Sequence, residues 1–257
     1  MKKDNFLITA TGADDKTSIE EMVNLSKNYP LLEFAILLKE GDPKERYPSQ
    51  DWIVRLYDVW CQNESMILSG HICGRWVREI CEGNWNPVFE YLGDMTEMFS
   101  RIQLNFSPYT QGIKNDKFLK GMESETLYFK QIIFQLKNIN DPVFLAAKND
   151  DFDVVPLFDL SGGRGISPDT WPISDCLCGY AGGLSPDNVE DQIRAISKVA
   201  SQFWIDAETG LRTNGEFDLA KVESFYDKAC RGRFFKPTDI PENRLLYPTA
   251  FERSSNA

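Results

Sequence analysis

The sequence predicts an α/β fold, a single (β/α)8 TIM barrel with an extended C-terminal tail. Short apolar runs alternate with longer amphipathic ones along the whole chain. The length, 257 residues, is that of one such barrel. Three late apolar runs each end in a glycine-bearing turn, the arrangement by which a barrel of this type cradles an anion at the carboxyl ends of its last strands.

Each element has its own local signal. The first strand is expected over 6–11 and the first helix over 17–28. The second strand, 32–38, is a nearly continuous apolar run, and Ser49-Gln50-Asp51 opens a helix over 49–62 with a capping residue and a first-turn acid. Strands at 65–72, 100–106 and 130–137 alternate with helices at 75–92, 114–128 and 142–149. The sixth strand, 153–159, leads to a helix of one or two turns at 168–174, which contains Pro168 and Pro172. The seventh strand, 176–181, precedes a helix over 185–200 with Ser185 as N-cap, Pro186 at N1 and Glu190 or Asp191 in the first turn. Strand 203–207 and helix 216–230 complete the set. Eight strands alternating with eight helices imply parallel pairing through right-handed crossovers. A doubly wound open sheet is the alternative, but no glycine-rich dinucleotide turn follows the first strand. The barrel is expected to occupy 1–231. Residues 232–257, with Pro237, Pro241 and Pro248, form a tail that packs on the barrel or is partly disordered.

Composition narrows the function classes. Lys and Arg number 28 against 39 Asp and Glu, a net charge of −11. No basic stripe is available to neutralise phosphates, so no nucleic-acid partner is expected. No apolar run approaches the ~20 residues of a membrane-spanning helix, and the start of the chain leads into only a short apolar stretch. No membrane association is expected, and a cytoplasmic location is. The cysteines at 61, 73, 81, 176, 178 and 230 include no CxxC pair and read as reduced thiols. One histidine and scattered acids do not make a zinc site. Carboxylates such as Asp159, Asp206 and Glu208 have no spacing signature for magnesium. No metal and no cofactor are expected.

The three glycine turns carry most of the functional signal. Gly162, Gly163 and Gly165 follow Val154–Leu160; Gly182 and Gly183 follow Cys178–Ala181; Thr209 and Gly210 follow Phe203–Ala207. Backbone N–H groups at such turns bind anions without a formal positive charge. One glycine turn is commonly only a turn. Three at the ends of successive strands point to a phosphate site.

These stretches resemble the phosphoribosylanthranilate isomerase family of tryptophan biosynthesis. The similarity lies in Leu157 to Trp171, in Ala181-Gly182-Gly183-Leu184-Ser185-Pro186-Asp187-Asn188-Val189, and in Asp206 to Gly210. Weaker matches are Lys44 to Ser49 and Arg101 to Asn105. The resemblance implies an Amadori rearrangement of a phosphorylated ribosylamine. It implies Asp159 as general acid on the ring oxygen, Arg46 on the carboxylate of the aromatic group and Asp206 near the aromatic amine. By itself, Asp159 at a strand's carboxyl end is costly unless paired or used; capping its own turn is the other reading.

The chain departs from the family in three places. Family members carry a cysteine at the end of the first strand as general base. Here the stretch is Leu7-Ile8-Thr9-Ala10-Thr11-Gly12-Ala13, and a threonine hydroxyl is no base near pH 7. Glu208 stands where the family has serine beside the phosphate, and Asn105 where it has histidine. Strands eight and one are neighbours in a closed barrel, so Glu208 is a candidate replacement base. Alternatively it selects a less negative ligand, or pairs with Arg212 or Arg164. His71, near the end of the third strand, is an acid–base candidate; a satisfied structural histidine is the other reading. Gln135 and Lys137 are candidates to line the mouth. The expected ligand is a small-molecule sugar phosphate. The expected activity is aldose–ketose isomerisation with Asp159, Glu208 and His71 as catalytic candidates. The alternative is a divergent barrel that binds such a ligand without the family catalysis.

Overall fold

The structure, a computed structural model, describes residues 6–41, 46–63, 65–105, 115–125, 129–136, 141–159 and 165–232. Eight parallel strands close into a barrel in sequence order: β1 (Ile8–Thr11), β2 (Leu32–Leu38), β3 (Ile67–Ile72), β4 (Phe99–Leu104), β5 (Ile132–Leu136), β6 (Val154–Asp159), β7 (Cys178–Ala181) and β8 (Phe203–Ala207). Every expected strand is present within two residues of its expected ends. The helices are α1 (Ile19–Asn28), α2 (Gln50–Trp60), α3 (Arg75–Cys81), α4 (Asn86–Leu92), α5 (Asn115–Glu125), α6 (Pro142–Asn149), α7 (Val189–Ile196) and α8 (Leu219–Gly232).

Side-chain alternation decides what each strand supplies. Phe34, Ile36 and Leu38 of β2, and Phe203, Ile205 and Ala207 of β8, face the helices and join the main apolar core. The intervening positions face into the barrel. Among them Leu7, Ile133, Val155, Leu157 and Trp204 form a second, smaller apolar cluster.

The helices depart from expectation in four places. The run over 75–92 is two helices, because Gly83 takes φ +84° between them and Pro87 starts the second. A Cβ on Gly83 would lie 2.4 Å from the carbonyl oxygen of Lys117, so the break also seats α5. No helix forms over 168–174. Pro168 and Pro172 lack donors and disfavour helical geometry in the residues before them. The segment is tied down instead by the Tyr180 hydroxyl, which donates to the Pro172 carbonyl at 2.7 Å, and by Trp171 packed edge-on to Tyr180. The helix expected over 185–200 is shorter. Ser185 caps a turn, its Oγ accepting from the Asp187 N–H, and the regular helix is α7. Before α8 a two-residue hairpin, β9 (Arg212–Thr213) with β10 (Glu216–Phe217), occupies residues read as loop and helix start. Residues 233–257 of the expected tail lie outside the described residues. Among the described residues no helix is long and apolar enough to cross a membrane.

Candidate active site

A polar layer crosses the barrel interior below the carboxyl ends of its strands. Arg101 of β4 donates through Nε to Glu33 Oε2 at 2.7 Å and through Nη2 to Glu33 Oε1 at 2.8 Å. Thr9 Oγ1 donates to the same Oε1 at 2.9 Å, and the guanidinium lies 4.5 Å over the ring of Trp204. Both charged side chains are shut off from solvent. Such burial is tolerated only when both ions are paired and hydrogen-bonded, as here.

Above this layer two carboxylates face the mouth. Asp159 ends β6, is buried, and accepts from Gln135 Nε2 at 2.7 Å. Asp206 of β8 is buried and accepts from Thr11 Oγ1 at 2.6 Å. Both pair in register with Ala181 of β7, so they stand on the strands that flank it. Two strand spacings put their backbones about 10 Å apart. Burial pushes the Asp206 carboxyl up to about 8; the Thr11 hydroxyl and Arg101 pull against this, and Glu208 and Glu33 add to it.

Glu208, just past β8, is half-buried and forms an ion pair with Arg46. Burial raises its pKa, and the Arg46 guanidinium opposes the rise. Arg46 lies 5.6 Å over the ring of Tyr47. The Tyr47 hydroxyl lies beside the Cys73 thiol and Arg46, and burial pushes it up to about 12. Cys73 follows β3; burial pushes its thiol up to about 11, and its sulfur accepts from Asn105 Nδ2 at 2.9 Å. Asn105 in turn accepts from Gln103 Nε2 at 2.8 Å. Gln103 Oε1 is buried with no partner among the described residues, leaving an acceptor for a ligand hydroxyl. This chain of contacts forms the β2–β4 wall of the mouth.

The opposite wall holds the glycine turns, and they interlock. A Cβ on Gly183 (φ +62°) would lie 2.3 Å from the Ser167 backbone nitrogen, and one on Gly210 would lie 2.1 Å from the Leu184 carbonyl oxygen. Gly165 meets Thr209 in the same way at 3.1 Å. Asn188 Nδ2 and Ser167 Oγ both donate to the Gly183 carbonyl, at 2.8 and 3.2 Å. The N–H groups of Gly182 and Gly183 donate to no acceptor among the described residues. Gly162, Gly163, Arg164 and Lys137 lie outside the described residues, as do Lys44 and Glu45 beside Arg46.

Several sequence-level expectations meet here, and others separate. Asp159, Asp206, Glu208, Arg46 and Asn105 all stand at the carboxyl end of the barrel. Arg212, expected as a partner of Glu208, instead binds the Gly12 carbonyl and Asp14 Oδ2, each at 2.8 Å; Arg46 makes the pair with Glu208. His71 is buried in β3, and burial with the Arg101 charge drives its pKa down to about 3. Burial thus disfavours the charged imidazolium. Thr11, Tyr47, Cys73 and the Glu33–Arg101 pair were not singled out from the sequence. The alternation of strand positions placed Glu33, Arg101 and Thr11 on the inner face, which was a usable signal. Nothing in the order of residues indicated that Tyr47 and Cys73 would meet.

Comparison with known proteins bears on the same half of the barrel. The family model for N-(5'phosphoribosyl)anthranilate (PRA) isomerase matches residues 119–228. The N-(5'-phosphoribosyl)anthranilate isomerase of Wickerhamomyces anomalus is 30% identical over 123 residues, 44% of this chain and 51% of that protein. The enzyme of the same name from Zygosaccharomyces bailii is 37% identical over 94 residues, 33% of this chain and 44% of that protein. The chain thus spans about half the length of the curated relatives it matches. In fold, phosphoribosyl anthranilate isomerase from Thermus thermophilus superposes with a TM-score of 0.56 at 12% identity, covering 88% of this chain and 99% of that one. The matched segment, the closed barrel and the glycine turns agree. The chain is a closed (β/α)8 barrel whose residues 119–228 match the N-(5'phosphoribosyl)anthranilate (PRA) isomerase family model.

Proposed function

We propose that this barrel is an isomerase of a phosphorylated ribosylamine, phosphoribosylanthranilate or a close relative, acting in tryptophan biosynthesis in the cytoplasm. The observation that carries the reading is the meeting of the interlocked glycine turns with Asp159 and Asp206 at the ends of β6, β7 and β8, within the family-matched segment. The free N–H groups of Gly182 and Gly183, with Gly165, Thr209 and Gly210 and with Gly162 and Gly163, take the phosphate. Arg46 and Asn105 position the amine-bearing half of the ligand, with Asp206 beside it. No metal or cofactor is needed for proton transfers of this kind. The net charge of −11 leaves a small anion, held by local dipoles, as the partner rather than a nucleic acid.

In the reaction, Asp159 gives a proton to the ring oxygen, and the C1–O bond breaks as the nitrogen lone pair forms an iminium. A carboxylate on the β8 side then removes the C2 proton. The C2–H electron pair becomes the C1=C2 double bond, and the C1=N pair returns to nitrogen. Proton return to C1 and loss of the enol proton give the aminoketose. Two carboxylates stand on that side, Asp206 and Glu208, the latter paired with Arg46. His71 serves below the site as a neutral structural imidazole.

The test is turnover of phosphoribosylanthranilate generated in situ, wild type beside Asp159→Asn. The expected result is saturable turnover that falls at least 100-fold in the variant, the usual weight of a general acid. Tight binding of a ribulose phosphate without turnover by the wild type would contradict an enzyme and indicate a barrel that retains only the ligand cradle.

A further inference from the structure

We infer that the group which removes the C2 proton is Asp206, held by Thr11, and that Glu208 positions Arg46 instead. This rests on the isomerase reading above and names the base within it.

Four observations carry the inference. The reaction needs two proton-transfer groups aimed at one sugar from different sides. Asp159 and Asp206 stand on the two strands flanking Ala181, both buried and both facing the mouth. Second, the end of β1 supplies Thr11, which cannot take a proton itself but donates to Asp206 Oδ1 at 2.6 Å. That bond fixes the carboxylate and leaves Oδ2 for substrate. Third, the charges differ. Glu208 is tied into an ion pair with Arg46, whereas Asp206 has no ion pair among the described residues. An unpaired carboxylate in a buried site is the stronger base. Fourth, the surroundings fit a base poised near neutrality. Asp206 is faced by Thr9 and Thr11 of β1 and by Ala181 of β7, with Glu208 above and the Glu33–Arg101 pair below. Burial, with Glu208 and Glu33 adding to it against the pull of the Thr11 hydroxyl and Arg101, holds its proton affinity above that of an ordinary aspartate.

Thr11 is a positioning residue. Its hydroxyl favours the charged carboxylate, so its removal should move the basic limb of the rate profile without abolishing turnover. Removing Glu208 acts on Arg46 and the ligand's amine half, and should register in KM more than in kcat.

The experiment uses the full chain and phosphoribosylanthranilate made in situ, with hydrogen or deuterium at C2, across pH 6–9. In the wild type kcat/KM should rise through a pKa near 8 and show a primary isotope effect. Asp206→Asn should lower kcat about 100-fold or more while still binding a ribulose 5-phosphate. Thr11→Val should shift the limb to higher pH. Glu208→Gln should leave the limb in place and raise KM. The inference is overturned if Asp206→Asn, shown folded by its melting transition, keeps kcat within tenfold of wild type. It is equally overturned if Glu208→Gln alone removes the basic limb. If wild type and Asp159→Asn both show no turnover, the isomerase reading itself fails, a result distinct from either.

Discussion

At the scale of single residues, the interior of this barrel is organised around charges that burial would otherwise exclude. The Glu33–Arg101 pair has two direct hydrogen bonds and a supporting threonine, and no solvent contact. Replacing Arg101 by Met should leave Glu33 buried and unpaired, at about 3–5 kcal/mol, read as a drop of roughly 10 °C in Tm for a domain of this size. The double variant Glu33→Met/Arg101→Met should recover much of that loss. A single variant that melts like wild type would show the pair to be dispensable. Asp206 makes a second, opposite prediction. Its folded pKa, about 8, lies above that of an unfolded aspartate. The folded state holds a proton that the unfolded chain releases, so stability from this group is full at low pH and is lost as pH rises toward 8. Asp206→Asn should therefore be more stable than wild type, by an amount that grows by about 1.4 kcal/mol per pH unit between about 4 and 8. Denaturant unfolding of both proteins at pH 5 and 8 measures this; equal differences at the two values would contradict it.

At the scale of elements, the strands were legible and several helices were not, for a physical reason. A buried parallel strand is a run of apolar residues, and each of the eight runs stands out from its polar flanks. A helix on the outside of the barrel is defined by one face only, so a glycine with positive φ or a pair of prolines re-cuts it without disturbing the apolar pattern. Gly83 divided one expected helix in this way, and Pro168 with Pro172 removed another. The turns after β6, β7 and β8 show the same limit at the site. Their glycines were readable one by one, but their interlocking through Ser167, Leu184 and Thr209 was not. Gly183→Ala tests that interlock. The new methyl would strain a left-handed backbone and press on the Ser167 nitrogen, costing about 1–3 kcal/mol. Its affinity for inorganic phosphate or a sugar phosphate, measured by calorimetry, should fall with it. Unchanged affinity would place the phosphate elsewhere.

At the scale of the whole molecule, the family resemblance and the chemistry point the same way, although the resemblance is carried by one half of the chain. The matched segment, 119–228, holds Asp159, the glycine turns, Asp206 and Glu208. The β1–β4 half supplies Thr11, Arg46, Tyr47, Cys73 and Asn105. A barrel tolerates this division because each strand delivers its inward residues independently of its neighbours. In the closed barrel β8 stands beside β1 and brings the buried Asp206 carboxylate against Thr11. That adjacency was readable from the fold class. Which of the two carboxylates on that side escapes an ion pair was not, because Arg46 reaches Glu208 from the loop after β2, across β1, 162 positions away in sequence. The most direct measurement is to incubate the wild-type chain with phosphoribosylanthranilate made in situ and follow the sugar carbons by NMR. The account predicts an aminoketose 5-phosphate, with a ketone carbon at C2 and the original C2 hydrogen lost. Persistence of the ribosylamine at every pH from 6 to 9, with the sugar phosphate saturably bound, would contradict it.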